Sequence, residues 1–390
     1  MLIELLTNTK QKDKSSRTGH FNSESSADVR SFHKTIHGYK PTPLIKLNGM
    51  ADRLGVKNIW LKDESFRFGL NAFKVLGASY AVAKLFFELF DLNDSDFSLD
   101  TLRSQSAKHK LKDFTLVTAT DGNHGRGVAW TAQHLGCNCV VYMPKGTTVQ
   151  RARNIESTGA TVTIIDGNYD QAVQTAKTNS EKNNWFLVQD TSWNGYEKIP
   201  EWIMRGYLTI ADEITEQLKG NSLTHIFIQS GVGSLPAAIA AYYIERNENE
   251  KPIFAVVEPA EAACAFEAIR ADEIISLTGG MNTIMAGLAC GTISKLAWDI
   301  LKNHSDFFIK CSDDVTISGM NLLGKQKFGD AKIISGESGA VTTGLIYQLL
   351  SDEKFKFLAQ TLKLSEKSKI LLISTEGDTD PEMYRRILSL

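Results

Sequence analysis

The chain has 390 residues, with 43 basic and 45 acidic side chains and a formal net charge of −2. That length suits two domains or one large α/β unit, and no basic arm or stripe is present of the kind a nucleic-acid partner needs. The longest apolar stretches carry charges and fall short of a membrane span, and the N-terminus lacks a signal-peptide pattern, so the expectation is a cytoplasmic protein with no membrane partner.

Residues 1–30 are polar, rich in Ser, Lys and Asp, and show no apolar period; they are expected to form an extended or partly ordered arm. After Pro41, short apolar runs alternate with longer amphipathic segments. NIWLKDES, FTLVTATDG, CVVYMPKG, TVTIIDG, WFLVQDT, HIFIQSGVG, IFAVVEP and ILLISTEGD each read as a buried strand ending in polar or glycine residues. GVAWTAQHLG, QRARNIESTG and YLTIADEITEQLKG read as helices between them, the last two with a Gly stop. Strand and helix repeated in this way predict parallel sheets with helices on both faces. The polar residues follow the strands, and ligands bind at the carboxyl ends of parallel strands. Asp121, Asn123, Asp190, Ser230 to Ser234 and Ser374 are therefore predicted to share one crevice.

Lys74 lies in GLNAFKVLGASYAVAKLF, at the start of a helix that Asn71 is placed to cap. A helical Lys is ordinarily a solvated charge, but Ala72, Phe73, Val75 and Leu76 around it are apolar. A buried amine gives up its proton more readily, which suits a nucleophile. SGVGSLPAA places Gly231, Val232, Gly233 and Ser234 between a strand and a helix, where backbone N–H groups can meet an anion. Alone, that stretch reads equally as an ordinary tight turn; it is neither a P-loop nor a dinucleotide fingerprint. In TATDGNHGRGVAW, glycines flank Asn123 and His124, and Asp121 with Asp190 could form a pair of proton acceptors. His124 reads as a structural hydrogen-bonder. Glu337 in SGESGAVTTG and Ser374 in LLISTEGDTD complete the set, each also readable as a cap or turn residue.

The five cysteines do not read as a disulfide framework. Cys137 and Cys139, near His134, are expected as buried small side chains, and Cys264 and Cys290 as free thiols rather than a regulatory pair. No metal is assigned.

An N-A-F-K lysine, a G-N-H-G loop, a glycine-rich cup and a late Ser before G-D together resemble the fold type II pyridoxal-phosphate enzymes, the tryptophan synthase β and threonine dehydratase family. Within it, KDESFRFGLNAFK, TDGNHGRGVAW, VYMPKG, VVEP, IMAGLACG, ISGESGA and ISTEGDTD, in that order, look like the diaminopropionate ammonia-lyases. The resemblance runs from about His33 to the C-terminus. It implies two three-layer α/β/α domains with mostly parallel sheets. A large domain would be built from residues 1–80 and 196–390 and a small one from 81–195, with the active site in the cleft between them. It also implies pyridoxal 5'-phosphate as cofactor, a small amino-acid substrate and a homodimer.

The same resemblance assigns roles. Lys74 would hold the cofactor as a Schiff base, Asn123 its 3′-oxygen, Gly231 to Ser234 its phosphate, and Ser374 its ring nitrogen. Asp190 would take the α-proton from L-2,3-diaminopropionate and Asp121 from the D-isomer, with Lys74 an open alternative as base for one of them. Ammonia, then pyruvate and a second ammonia, would follow in amino-acid catabolism. Glu258 in VVEP resembles a cation-site position in some relatives, without the supporting ligands. Alternatives are a serine or threonine dehydratase of the same fold, which Asp121 speaks against, and a non-catalytic amino-acid sensor. A nucleotide-binding oxidoreductase lacks its fingerprint.

Overall fold

A computed structural model describes residues 1–9, 18–104, 109–246 and 251–389. Eleven strands occur among them: β1 Ile3–Thr7, β2 Leu44–Lys46, β3 Asn58–Asp63, β4 Thr115–Ala119, β5 Asn138–Met143, β6 Thr161–Ile164, β7 Phe186–Leu187, β8 His225–Gln229, β9 Ile253–Pro259, β10 Phe307–Cys311 and β11 Lys369–Ser374. They form a seven-stranded sheet in the order β1-β10-β9-β8-β11-β3-β2 and a four-stranded sheet in the order β6-β5-β4-β7. Only the two edge pairings of the larger sheet, β1 with β10 and β2 with β3, are antiparallel. The expected mostly parallel α/β architecture is what the chain adopts.

Alternation along the central strands explains the layers. Successive side chains of a strand face opposite sides of its sheet. Trp60, Ile226, Ile228, Phe254, Val256, Leu371 and Ile373 enter one apolar cluster. Their neighbours Ile59, Leu61, Phe227, Ala255, Val257, Ile370 and Leu372 enter another. Each sheet face is thus covered by apolar packing, which is why these strands read as continuous hydrophobic runs. The first cluster extends across to Leu116, Cys139, Val141 and Met143 of the smaller sheet, so one core joins the two sheets.

The N-terminal expectation is corrected. Residues 3–7 form edge strand β1, Thr18 to Phe21 turn into a short helix, and Ser23–Thr35 is a full helix capped by the Asn22 side chain. Its Val29, Phe32 and, just beyond it, Ile36 are buried, a helical stripe hidden among serines. Residues 10–17 of the expected arm lie outside the described residues.

Helix Val75–Leu89, which begins at Lys74, is held against helix Lys198–Gly206 by a backbone-to-backbone crossing. A Cβ on Gly206 would sit 2.5 Å from the Leu76 carbonyl oxygen, and one on Gly77 would sit 2.8 Å from that of Ile203. Gly206→Ala is therefore expected to push the two helices apart, at a cost of roughly 1–3 kcal/mol. Thermal unfolding should show that loss, with a parallel fall in turnover because Lys74 moves with its helix; an unchanged melting temperature would refute the crossing.

Candidate active site

The carboxyl ends of β4, β7, β8 and β11 converge on one crevice. Its walls include Thr120, Asp121, Asn123 and His124 after β4, Asp190 after β7, Gly231 to Ser234 after β8, and Thr375 with Glu376 after β11. Lys74 enters from the large-sheet side. Its loop leaves β3 through Asn71, whose φ is +61°, and is stitched to the loop after β11: the Phe73 N–H donates to the Thr375 carbonyl at 3.2 Å, and the Gly377 N–H to that of Asn71 at 3.0 Å. Asn71 does not cap the helix, contrary to expectation. Its side chain instead donates to Asp378 at 3.0 Å, because its left-handed backbone turns it toward that loop.

Lys74 Nζ makes an ion pair with Oδ2 of Asp190. Burial alone lowers the Lys74 pKa, but the negative charge of Asp190, with Tyr207 and Asp121, outweighs it and raises the amine above its ordinary value. The expectation of a readily deprotonated amine is thus corrected: its counter-charge arrives from a residue 116 positions away. Asp190 is the other half of the same effect. Burial raises its pKa, but Lys74, His124 and the Tyr169 hydroxyl, which donates at 3.2 Å, hold it well below the ordinary carboxylate range. The Ser234 hydroxyl donates to the Asp190 carbonyl at 2.6 Å and fixes that strand end against the glycine turn.

Asp121 faces the same crevice and also an outer cleft of about 610 Å³, which Arg151, Glu337 and Asp380 line as well. Burial pushes Asp121 up to about 6, against the charges of Arg151 and Lys74. Burial, then the charge of Glu376, raises Glu337 to about 7. Asn123 donates through Nδ2 to Glu376, whose other oxygen accepts the Ser338 N–H at 3.0 Å. His124 donates through Nε2 to the Val188 carbonyl at 2.8 Å, leaving its buried Nδ1 without a partner, 3.9 Å from Asp190. Ser374 does not line the crevice as expected: it is fully buried at the end of β11, its hydroxyl donating to Ser335 at 2.7 Å.

The glycine turn is built for an anion. Gly233 has φ +92°, and a Cβ there would meet that of Ala297 at 2.8 Å, while one on Gly231 would meet the Gly287 carbonyl oxygen at 3.1 Å. Close packing thus requires glycine at both positions and lets the turn run tight against its neighbours. The N–H groups of Gly231, Val232 and Gly233 find no backbone acceptor among the described residues, and helix Ser234–Arg246 starts behind them. With an amine at one end and this cup at the other, the residues fit pyridoxal phosphate.

The sequence reasoning missed Glu376, Tyr169 and Arg151. Glu376 follows a strand already singled out, so the strand-end rule could have flagged it. Tyr169 opens the helix after the turn that follows β6, and Arg151 sits in QRARN; neither carries a local signal. Cys264 and Cys290 are free thiols, with Cys264 Sγ 3.4 Å from the Gly231 carbonyl oxygen. Cys137 is half-buried and Cys139 buried, both free. Glu258 accepts the N–H groups of Ala265 and Phe266 at 2.9 and 2.7 Å and so caps helix Cys264–Ala271.

Comparison with known proteins gives the family. The family "Pyridoxal-phosphate dependent enzyme" matches residues 36–364. Diaminopropionate ammonia-lyase of Salmonella typhimurium is 45% identical over 367 residues, covering 93% of this chain and 91% of that protein. The protein of the same name from Escherichia coli K12 is 43% identical over 362 residues, covering 92% and 90%. The crystal structure of Escherichia coli diaminopropionate ammonia lyase in complex with D-serine superimposes with a TM-score of 0.93, at 40% identity, covering 99% of this chain and 97% of that one.

Proposed function

The chain belongs to the pyridoxal-phosphate-dependent enzymes and, within them, to the diaminopropionate ammonia-lyases, and from that premise we propose that it converts D- and L-2,3-diaminopropionate, with one water, to pyruvate and two ammonia. The observation that carries the reading is the placing of Lys74, Asp190 and Asp121 on one crevice beside an anion cup.

Lys74 would hold the cofactor through Nζ, the N–H groups of Gly231 to Ser234 its phosphate, Asn123 its 3′-oxygen and Ser374 its ring nitrogen. The cofactor supplies an electron sink at the substrate's α-carbon. Everything else falls to the chain. Asp190 would accept the α-proton of the L-isomer, and Asp121 that of the D-isomer, whose proton points the other way. Tyr169 and Ser234 keep Asp190 in place through the bonds described above. Lys74 stays within reach of Asp190 and can carry a proton at Nζ as the β-amino group leaves as ammonia. The product, freed from the protein, takes up water to give pyruvate and the second ammonia.

The division of labour is tested with pyruvate release from each isomer, with L-serine alongside. Asp190→Asn is expected to lose L-isomer turnover by about 10²–10⁴-fold and Asp121→Asn that of the D-isomer by a similar factor, since each removes one proton acceptor. Both variants losing the same isomer, or serine proving the better substrate of the wild type, would refute the reading.

The proposal extends to the protein's setting. No helix among the described residues is long and apolar enough to cross a membrane. We further propose a cytoplasmic homodimer acting on a free amino acid, with residues 81–195 forming a small domain against a large one from 1–80 and 196–390. Light scattering of the purified holoenzyme tests the dimer.

A further inference from the structure

Arg151 is 9% exposed on helix Val149–Glu156. It lines the outer cleft together with Asp121, Glu337 and Asp380. Nε is buried with no hydrogen-bond partner. A Cβ on Gly122 would lie 3.6 Å from Cδ of Arg151, so the arginine stem runs along the backbone next to Asp121. Burial works against the charge of its guanidinium, and Glu376, Asp121, Glu337 and Asp380 outweigh it.

We propose that Arg151 is a positioning residue for the D-isomer branch, its guanidinium holding Asp121 in the carboxylate form that can accept a proton. The inference rests on the reading of Asp121 as the D-isomer's acceptor. Asp121 shares the crevice with Asp190 and the outer cleft with Glu337 and Asp380, all acidic. Arg151 and Lys74 favour its charge, Glu376 opposes it, and Tyr169 and Cys290 face it uncharged. Burial sets Asp121 at about 6 even with Arg151 present, so removing that charge makes the carboxyl keep its proton to higher pH. Asp190 differs, because Lys74, His124 and Tyr169 hold it as a carboxylate without help from Arg151.

The test compares pH profiles of kcat/KM for the two isomers in wild-type, Arg151→Gln and Arg151→Lys holoenzymes. Enantiomers ionise identically in solution, so their kcat/KM ratio isolates the enzyme's own group. In Arg151→Gln the acid limb of the D-to-L ratio is expected to move up by about one pH unit. That is about a tenfold loss of D-isomer turnover on the limb, while L-isomer turnover reports a folded protein. Arg151→Lys is expected to restore the limb. As a second readout, the ¹³Cγ resonance of Asp121 in labelled protein, assigned by its loss in Asp121→Asn, should titrate at higher pH in Arg151→Gln. An unmoved resonance and ratio, or equal losses for both isomers, overturns the inference. A moved resonance combined with full D-isomer turnover by Asp121→Asn leaves the charge-holding role intact and overturns the acceptor role of Asp121 instead.

Discussion

Replacing Lys74 by alanine is expected to lower pyruvate release from both isomers by at least about 10³-fold, since one change removes both the anchoring amine and its proton. Lys74→Arg separates these contributions. It keeps a positive charge for Asp190, so that buried carboxylate is not abandoned, but it offers no nucleophilic amine. If the lysine acted only as the counter-charge of Asp190, the arginine variant would retain most activity. The expectation here is that it fails as completely as alanine. Borohydride treatment followed by mass spectrometry gives the direct check: the cofactor's mass should be fixed on the peptide carrying Lys74 in the wild type and on none in either variant. Labelling elsewhere in the wild type would remove Lys74 from its role.

Glu213→Ala is expected to be the most damaging change away from the crevice, destabilising the fold by about 3–5 kcal/mol. Glu213 is fully buried and pairs with Lys62 at 2.6 Å and Arg67 at 2.8 Å, both buried too. It also accepts the Tyr39 hydroxyl at 2.7 Å and the Thr42 N–H at 3.1 Å. Removing it strands two cations from which water is excluded, although Arg67 keeps Glu64. The neighbouring Arg30–Glu216 pair is the control, because Glu216 is 65% exposed and Glu216→Ala should cost no more than about 1 kcal/mol. Urea unfolding of both variants checks the contrast, and equal losses would sink it. The pH dependence has a definite sign. Burial raises the Glu213 pKa, but Arg67 and Lys62 outweigh it and hold the group at about 2, below the unfolded value of about 4.3. Its stabilisation is therefore full above the unfolded value and lost as pH falls through the folded one.

How much of this was legible in the sequence depends on where the information sits. Strands such as HIFIQ and ILLIS announce themselves because both faces are buried and every residue is apolar or nearly so. Even β7, only Phe186–Leu187, fell inside the expected WFLVQDT run. β10 was passed over although FFIKC is as apolar as its neighbours, and β1 was lost because IELLT starts a polar stretch. The helix Ser23–Thr35 was hidden by its serines, since Ser23 and Ser31 face solvent and Ser26 is buried beside a narrow apolar stripe. At the site, strand-end position brought Asp121, Asn123, Asp190 and Gly231 to Ser234 onto one crevice in advance, but it also placed Ser230 and Ser374 there, and both are fully buried and do not line it. The charge of Lys74 was misread, since apolar neighbours in sequence say nothing about a carboxylate delivered by the other sheet. Arg151 and Tyr169 were invisible for the same reason: their meaning is set by what packs against them.

The strand order of the larger sheet has a consequence for when this protein can become itself. β11 lies between β8 and β3, although it is the last strand along the chain. A nascent chain that has already released β3 and β8 has a gap where they would meet, and nothing fills it until Lys369–Ser374 emerges. The four strands of the smaller sheet, all between Thr115 and Leu187, have no such wait. Synthesis thus runs ahead of closure: the half that carries Asp121 and Asp190 can take shape early, whereas the seat of Lys74, stitched to the loop after β11, is finished last.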